Sequence, residues 1–184
     1  MTDEQLIQRI TDTAVLRGDF TLRSGRKSKY YLDKYLFETQ PDILAALGKK
    51  FAALIEAESA GPGGKIDRLA GPELGGIPLV SAASMATGLP MVLIRNAKKD
   101  YGTAKQFEGV LNEGDRVLIT EDIATSGGQV LEAAKVISDA GGVVMAIIAT
   151  IDRQEGAREN IEGAGFVFDA LFTAEDLGVG SGAT

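Results

Sequence analysis

The spacing of apolar residues changes partway along the chain. Before Gly61 they recur at three- and four-residue intervals, and from Ile66 onward short apolar runs alternate with helically spaced segments. Thr2-x-x-Gln5 forms a capping-box pattern that predicts a first helix with Leu6, Ile7, Ile10 and Ala14 on one face. Pro41 suits the first turn of a second helix, in which Ile43, Leu44, Leu47, Phe51, Leu54 and Ile55 share a stripe. A basic, aromatic stretch over residues 20–37, with a turn signal at Ser24-Gly25, separates the two.

Short apolar runs predict strands over 66–70, 91–95, 116–120, 143–151 and 166–171, and helical spacing predicts helices over 77–87, 128–140 and 155–161. This alternation, with glycine-rich turns at strand ends, predicts an α/β fold with a central parallel sheet flanked by helices. The runs Val117-Leu118-Ile119 and Ala146-Ile147-Ile148-Ala149 are apolar at every position, as strands covered on both faces tend to be. Gly61-Pro62-Gly63-Gly64 reads as a loop, since too little chain lies on either side to make two domains. Residues 1–184 are therefore expected to form one domain.

Composition narrows the chemistry more than the fold. The chain has no histidine, no cysteine and no tryptophan. That excludes a Ser-His-Asp triad, a thiol nucleophile, a zinc finger and a disulfide framework. Catalysis must rest on carboxylates, lysine, arginine, tyrosine, hydroxyls, backbone amides or a borrowed metal. No apolar stretch reaches the ~20 residues that span a bilayer, and Met1-Thr2-Asp3-Glu4-Gln5 has no signal-peptide character. A cytoplasmic protein is the default expectation. The net charge of −7 argues against general nucleic-acid binding, but residues 23–34 carry +4 and residues 95–105 carry +3. Such clusters focus potential onto a small polyanion while the molecule stays acidic.

The most informative segment follows the run Val117-Leu118-Ile119-Thr120. Two carboxylates, Glu121 and Asp122, lead through Ile123 and Ala124 into Thr125-Ser126-Gly127-Gly128-Gln129, which opens a helix. In open α/β sheets ligands bind at the carboxyl ends of strands. A loop of small residues feeding a helix N-terminus turns backbone N–H groups and the helix dipole toward an anion. Acids beside an anion cradle make sense for a phosphorylated sugar, whose phosphate takes the loop and whose hydroxyls donate to the carboxylates. The segment is neither a P-loop nor a dinucleotide fingerprint.

This segment resembles the phosphoribosyl diphosphate-binding motif of the type I phosphoribosyltransferases, with Glu121 in place of the more usual aspartate. Three further matches point to the orotate phosphoribosyltransferase branch. They are Phe20-Thr21-Leu22-Arg23-Ser24-Gly25-Arg26-Lys27-Ser28, the basic segment Arg95-Asn96-Ala97-Lys98-Lys99-Asp100-Tyr101-Gly102, and Asp152-Arg153-Gln154-Glu155-Gly156. The resemblance implies a small hood, mainly from residues 1–40 plus C-terminal residues. It also implies transfer of ribose 5-phosphate from phosphoribosyl diphosphate to orotate, with Mg²⁺ held mainly through substrate and water near Glu121 and Asp122.

Residue roles follow from the same resemblance. Glu121 and Asp122 would take the ribose hydroxyls, Ala124, Thr125, Ser126, Gly127, Gly128 and Gln129 would cradle the 5′-phosphate, and Ile123 would lie among the residues that bind phosphoribosyl diphosphate. Arg23, Arg95, Asn96, Lys99 and Tyr101 would serve the diphosphate, with Lys99 as the principal catalytic lysine. Arg153, Thr125 and Tyr31 would bind orotate. The loop over 95–105 would reach into the neighbouring site of a homodimer. Asn96 and Tyr101 stand where many relatives carry lysine and histidine, and Leu74-Gly75 stands where some carry Tyr-Lys. Two other readings fit parts of the chain: a transferase for another base, which has no use for Arg153 facing a carboxylate, and a regulatory diphosphate-binding protein, which has none for Lys99.

Overall fold

The computed structural model describes residues 1–21, 25, 27–61, 63–97 and 105–179. Helix α1 (Asp3–Ala14) starts at the predicted capping box: Thr2 Oγ1 accepts the Gln5 N–H, and Gln5 Oε1 accepts the Thr2 N–H. Its Leu6, Ile10 and Ala14 are buried. The basic stretch, read from sequence only as a turn-containing segment, folds as an antiparallel hairpin of β1 (Val15–Thr21) and β2 (Lys27–Leu32). A short helix α2 (Lys34–Glu38) follows, capped by the Asp33 side chain, and then α3 (Pro41–Ala60) with Pro41 in its first turn.

The rest builds the main sheet and its covering helices. In chain order these are β3 (Arg68–Pro72), α4 (Gly76–Thr87), β4 (Met91–Ile94), β5 (Phe107–Glu108), β6 (Arg116–Ala124), α5 (Gly128–Asp139), β7 (Val143–Asp152), α6 (Ala157–Gly163) and β8 (Val167–Thr173). The six strands lie in the order β5-β4-β3-β6-β7-β8. All neighbours are parallel except β5, which pairs antiparallel with β4. That two-residue edge strand is too short to register in the apolar pattern.

Each face of the sheet carries its own apolar core. Leu118 and Ile148 point into one with Leu6, Ile43, Leu47, Phe51 and Leu79 from α1, α3 and α4. Val117, Ile119, Ile147 and Ala149 point into the other with Val130, Ala134, Ile137 and Ile161 from α5 and α6. Burial on both faces is why those strands are apolar at every position. Helices α3 and α4 cross closely enough that a Cβ on Gly48 would come 2.7 Å from the Ala82 carbonyl oxygen. Among the described residues no helix is long and apolar enough to cross a membrane.

Two boundaries differ from the sequence reading in ways that matter. Strand β6 runs on past Thr120, because β7 continues beside it and pairs with Glu121, Ile123 and Ala124. Both acids therefore sit inside a strand and not in a loop. Helix α6 starts later than predicted, after a turn in which Gln154 and Gly156 both take positive φ.

Candidate functional site

The chain runs outward from β3 to β4 and then crosses back to place β6 on the other side of β3. The carboxyl ends of β3 and β6 thus form the switch point where open α/β sheets bind ligands. A cleft of about 380 Å³ lies there, bordered by the whole run Glu121, Asp122, Ile123, Ala124, Thr125, Ser126, Gly127, Gly128 and Gln129, together with Tyr31, Lys34 and Arg153.

Glu121 and Asp122 are buried, at 4% and 3% exposure. Successive side chains of a strand leave on opposite faces, so the two acids have different neighbours. Asp122 Oδ1 accepts its own neighbour's N–H, from Ile123, while Oδ2 accepts a hydrogen bond from Lys34 Nζ at 2.5 Å. Among the described residues Glu121 Oε2 is buried with no hydrogen-bond partner. Burial, reinforced by the adjacent Asp122 charge, holds the Glu121 carboxyl well above the usual carboxylate range, against the pull of Lys34.

The turn after β6 is built to receive an anion. Gly127 has φ +78°, and a Cβ there would meet Ile161 Cγ1 at 2.9 Å, so only glycine fits. Asn160 Nδ2 donates to the Ser126 carbonyl and holds the loop from α6. No side chain caps the N-terminus of α5. Among the described residues its first-turn N–H groups thus meet no capping side chain, which is the arrangement of a helix-terminus phosphate site. The Gln129 side chain turns away from that cradle and donates to the Glu73 carbonyl at 2.9 Å.

Arg153 borders the same cleft, held by a 2.9 Å ion pair with Glu155 and by its donation to Tyr30 Oη at 3.1 Å. Its guanidinium also lies over the Tyr30 ring, 5.6 Å from the centroid. Tyr31 is exposed beside the cleft, with its ring 5.8 Å from that of Phe20. Arg95 and Asn96 are placed differently: they line an adjoining recess of about 180 Å³ with Gln106, and Gln129 borders both spaces. Arg95 pairs loosely with Glu108 at 3.6 Å, and the Asn96 N–H donates to Glu73 Oε1. Arg23, Lys99 and Tyr101 lie outside the described residues.

The structure adds Tyr30, Lys34 and Glu38 to the candidate set. Tyr30 was screened by its aromatic neighbour Tyr31, although strand alternation sends the two to different faces. Lys34 and Glu38 sit at i and i+4 on α2, a helix of five residues whose sequence carries no clear apolar period. The turn between β3 and α4 also closes on Asp122. A Cβ at Gly75 would overlap the Asp122 carboxylate, and the Glu73–Leu74 peptide in that turn is cis. Among the described residues no group of three or more acidic side chains could hold a metal ion by itself. The unpartnered Glu121 Oε2 beside Asp122 fits a hydrated cation that takes most of its ligands from a bound substrate.

Comparison with known proteins agrees with this placement. A family model described as "Phosphoribosyl transferase domain" matches residues 37–179. The chain is 43% identical over 175 residues to the orotate phosphoribosyltransferase of Pyrococcus abyssi, covering 95% of this chain and 94% of that protein. Against the orotate phosphoribosyltransferase of Methanocella arvoryzae it is 41% identical over 176 residues, covering 95% and 97%. The orotate phosphoribosyltransferase of Mycobacterium tuberculosis, solved in complex with 5-phospho-α-D-ribosyl 1-diphosphate, superposes with a TM-score of 0.78 at 29% identity, covering 95% of this chain and 98% of that one. This chain belongs to the phosphoribosyltransferase family, in its orotate phosphoribosyltransferase branch.

Proposed function

We infer that this protein transfers the 5-phosphoribosyl group from phosphoribosyl diphosphate to N1 of orotate, releasing pyrophosphate and orotidine 5′-monophosphate in pyrimidine biosynthesis. One observation carries the reading: a single cleft brings together two strand-end carboxylates, an uncapped helix N-terminus and a held guanidinium. These suit, in turn, ribose hydroxyls, a phosphate and the carboxylate of orotate.

The chemistry is electrostatic. Breaking the bond between C1 of the ribose and the diphosphate leaves positive charge on the sugar and added negative charge on the leaving group. Fixed groups aimed at both stabilise that separation without reorganising. Glu121 and Asp122 accept hydrogen bonds from the ribose hydroxyls and favour the developing cation. The N–H groups of the turn and first helical residues hold the 5′-phosphate, with Ile123, Ala124, Thr125, Ser126, Gly127, Gly128 and Gln129 shaping its seat. Arg153 grips the orotate carboxylate, Thr125 lies beside the base and Tyr31 flanks it. Arg23, Arg95, Asn96, Lys99 and Tyr101 serve the diphosphate, Lys99 as its main catalytic cation. Mg²⁺, when bound, supplies further positive charge at the diphosphate, held through substrate and water near Glu121 and Asp122.

The reading extends to a cytoplasmic homodimer of single-domain subunits, with the loop over 95–105 serving the neighbouring site. What supports sharing is that Arg95 and Asn96 border a recess beside the cleft and not the cleft itself. The direct test is a magnesium-dependent depletion assay with phosphoribosyl diphosphate and orotate, uracil, adenine or hypoxanthine as acceptor. Orotate alone should be consumed; consumption of a purine instead overturns the assignment.

A further inference from the structure

At the cleft, which Lys34 borders, helix α2 sends two side chains to the end of the main sheet. Lys34 Nζ lies 2.5 Å from Asp122 Oδ2, in an ion pair whose acid is nearly fully buried. Glu38, one turn further along the same helix, is 1% exposed, and among the described residues neither of its carboxylate oxygens has a hydrogen-bond partner. Gly75 touches both acids: a Cβ there would overlap Asp122 and come within 2.8 Å of Glu38 Oε1. Among the described residues, Lys34 is the cation that acts on Glu38, Glu121 and Asp122 alike.

A buried carboxyl group left without partners destabilises a fold. Its place here suits a use during binding. Asp122 already takes Lys34 on the oxygen that lies against Gly75, and a ribose hydroxyl would compete for the same carboxylate. An ammonium has three donors, and a lysine reaches an acid four residues on without any backbone movement. The neighbourhood also settles charge. Burial by itself would lower the Lys34 pKa, but the Asp122 carboxylate, with smaller help from Tyr35 and Glu38, outweighs it and raises it, so the ammonium is kept. Burial and the Asp122 charge push Glu38 up to about 8, against Lys34 and with a smaller contribution from Asp33.

We propose that Lys34 is a positioning residue for phosphoribosyl diphosphate, orienting the Asp122 carboxylate for the ribose, and that Glu38 is the second seat its ammonium takes when Asp122 engages the ribose hydroxyls. Lys34 acts through Asp122 and is not itself placed on the reacting atoms. The proposal rests on the assignment of Asp122 to the ribose.

The test compares wild type, Lys34→Met, Lys34→Arg and Glu38→Gln by steady-state kinetics, calorimetric binding of phosphoribosyl diphosphate and thermal melting. Lys34→Met should raise Kd and KM for the diphosphate about tenfold or more, the scale of a charge-assisted hydrogen bond, with KM for orotate little changed. Lys34→Arg should recover affinity to within about threefold, since it keeps the donor and charge. Glu38→Gln should melt at a higher temperature yet bind the diphosphate several-fold more weakly. Diphosphate affinity unchanged in Lys34→Met, or lost equally in Lys34→Arg, overturns the positioning role. Unchanged affinity in Glu38→Gln overturns the second seat. Wild type run in the same assay keeps the two levels apart: no orotate consumption there defeats the functional reading itself, whereas an active wild type matched by Lys34→Met defeats only this proposal.

Discussion

Gly75 and Asp122 share space so closely that a Cβ on the glycine would overlap the carboxylate. The turn after β3 and the acid in β6 are therefore one packed unit across the switch point of the sheet. This contact also gives a physical meaning to Leu74-Gly75, where some relatives carry Tyr-Lys: at this position the chain spends its space on Asp122 and not on a side chain of its own.

Gly75→Ala should consequently displace Asp122. Overpacking of this kind costs about 1–3 kcal/mol, and a carboxylate moved off the ribose should lower kcat/KM for phosphoribosyl diphosphate by at least about tenfold. Steady-state kinetics beside a melting curve separates the two effects. Activity retained at the wild-type level would show that Asp122 need not sit where it does.

Arg153→Ala should raise KM for orotate by roughly ten- to a hundredfold, the range of a charged hydrogen-bonding pair, while calorimetric binding of phosphoribosyl diphosphate persists. Arg153→Lys should recover little, because an ammonium cannot reproduce a bidentate fork. Tyr30→Phe removes the hydroxyl that accepts from Arg153 and should raise KM for orotate only a few-fold.

Stability should fall as pH rises through the window set by Glu38. Its carboxyl is raised from 4.5 to about 8, chiefly by burial and then by the Asp122 charge. Between those values the folded chain holds a proton that the unfolded chain has released, so alkalinisation favours unfolding until both states are ionised. Glu121, also raised by burial, adds a change of the same sign. Melting temperature measured from pH 4.5 to pH 8 should decline in wild type and decline less in Glu38→Gln; identical slopes would remove Glu38 as a source.

Mixing Lys99→Ala protein with Asp122→Asn protein, each nearly inactive, should restore part of the activity if loop and carboxylates act across a dimer. One heterodimer site would then be intact. No recovery despite demonstrated subunit exchange argues for sites contained within one subunit.

Much of the architecture is legible in the sequence alone. The capping box at Thr2 and Gln5, Pro41 at the start of α3 and the all-apolar centres of β6 and β7 each state a local or two-faced burial requirement in a few consecutive residues. The hairpin, α2 and β5 were not legible as elements, because each is short or largely exposed and so carries no clear apolar period. The strand-end motif announced an anion and a polyol at the end of a strand, yet its apolar run stops at Thr120. Only the continued pairing with β7 keeps them in a strand.

What the sequence determined by itself is the chemistry available: no imidazole, no thiol, two adjacent carboxylates, a small-residue turn ahead of a helix, and clustered cations. Those are statements about residue types at fixed short spacings, and short spacings survive without a fold. The tertiary structure decided which of these groups meet. It brought Lys34 across 88 residues of chain to Asp122 and Tyr30 across 123 to Arg153. It also set Gly75 against the same acid and left Glu38 buried with no hydrogen-bond partner among the described residues. The reason is that charge and burial act through space, so a carboxylate's working state depends on neighbours that the order of residues does not name.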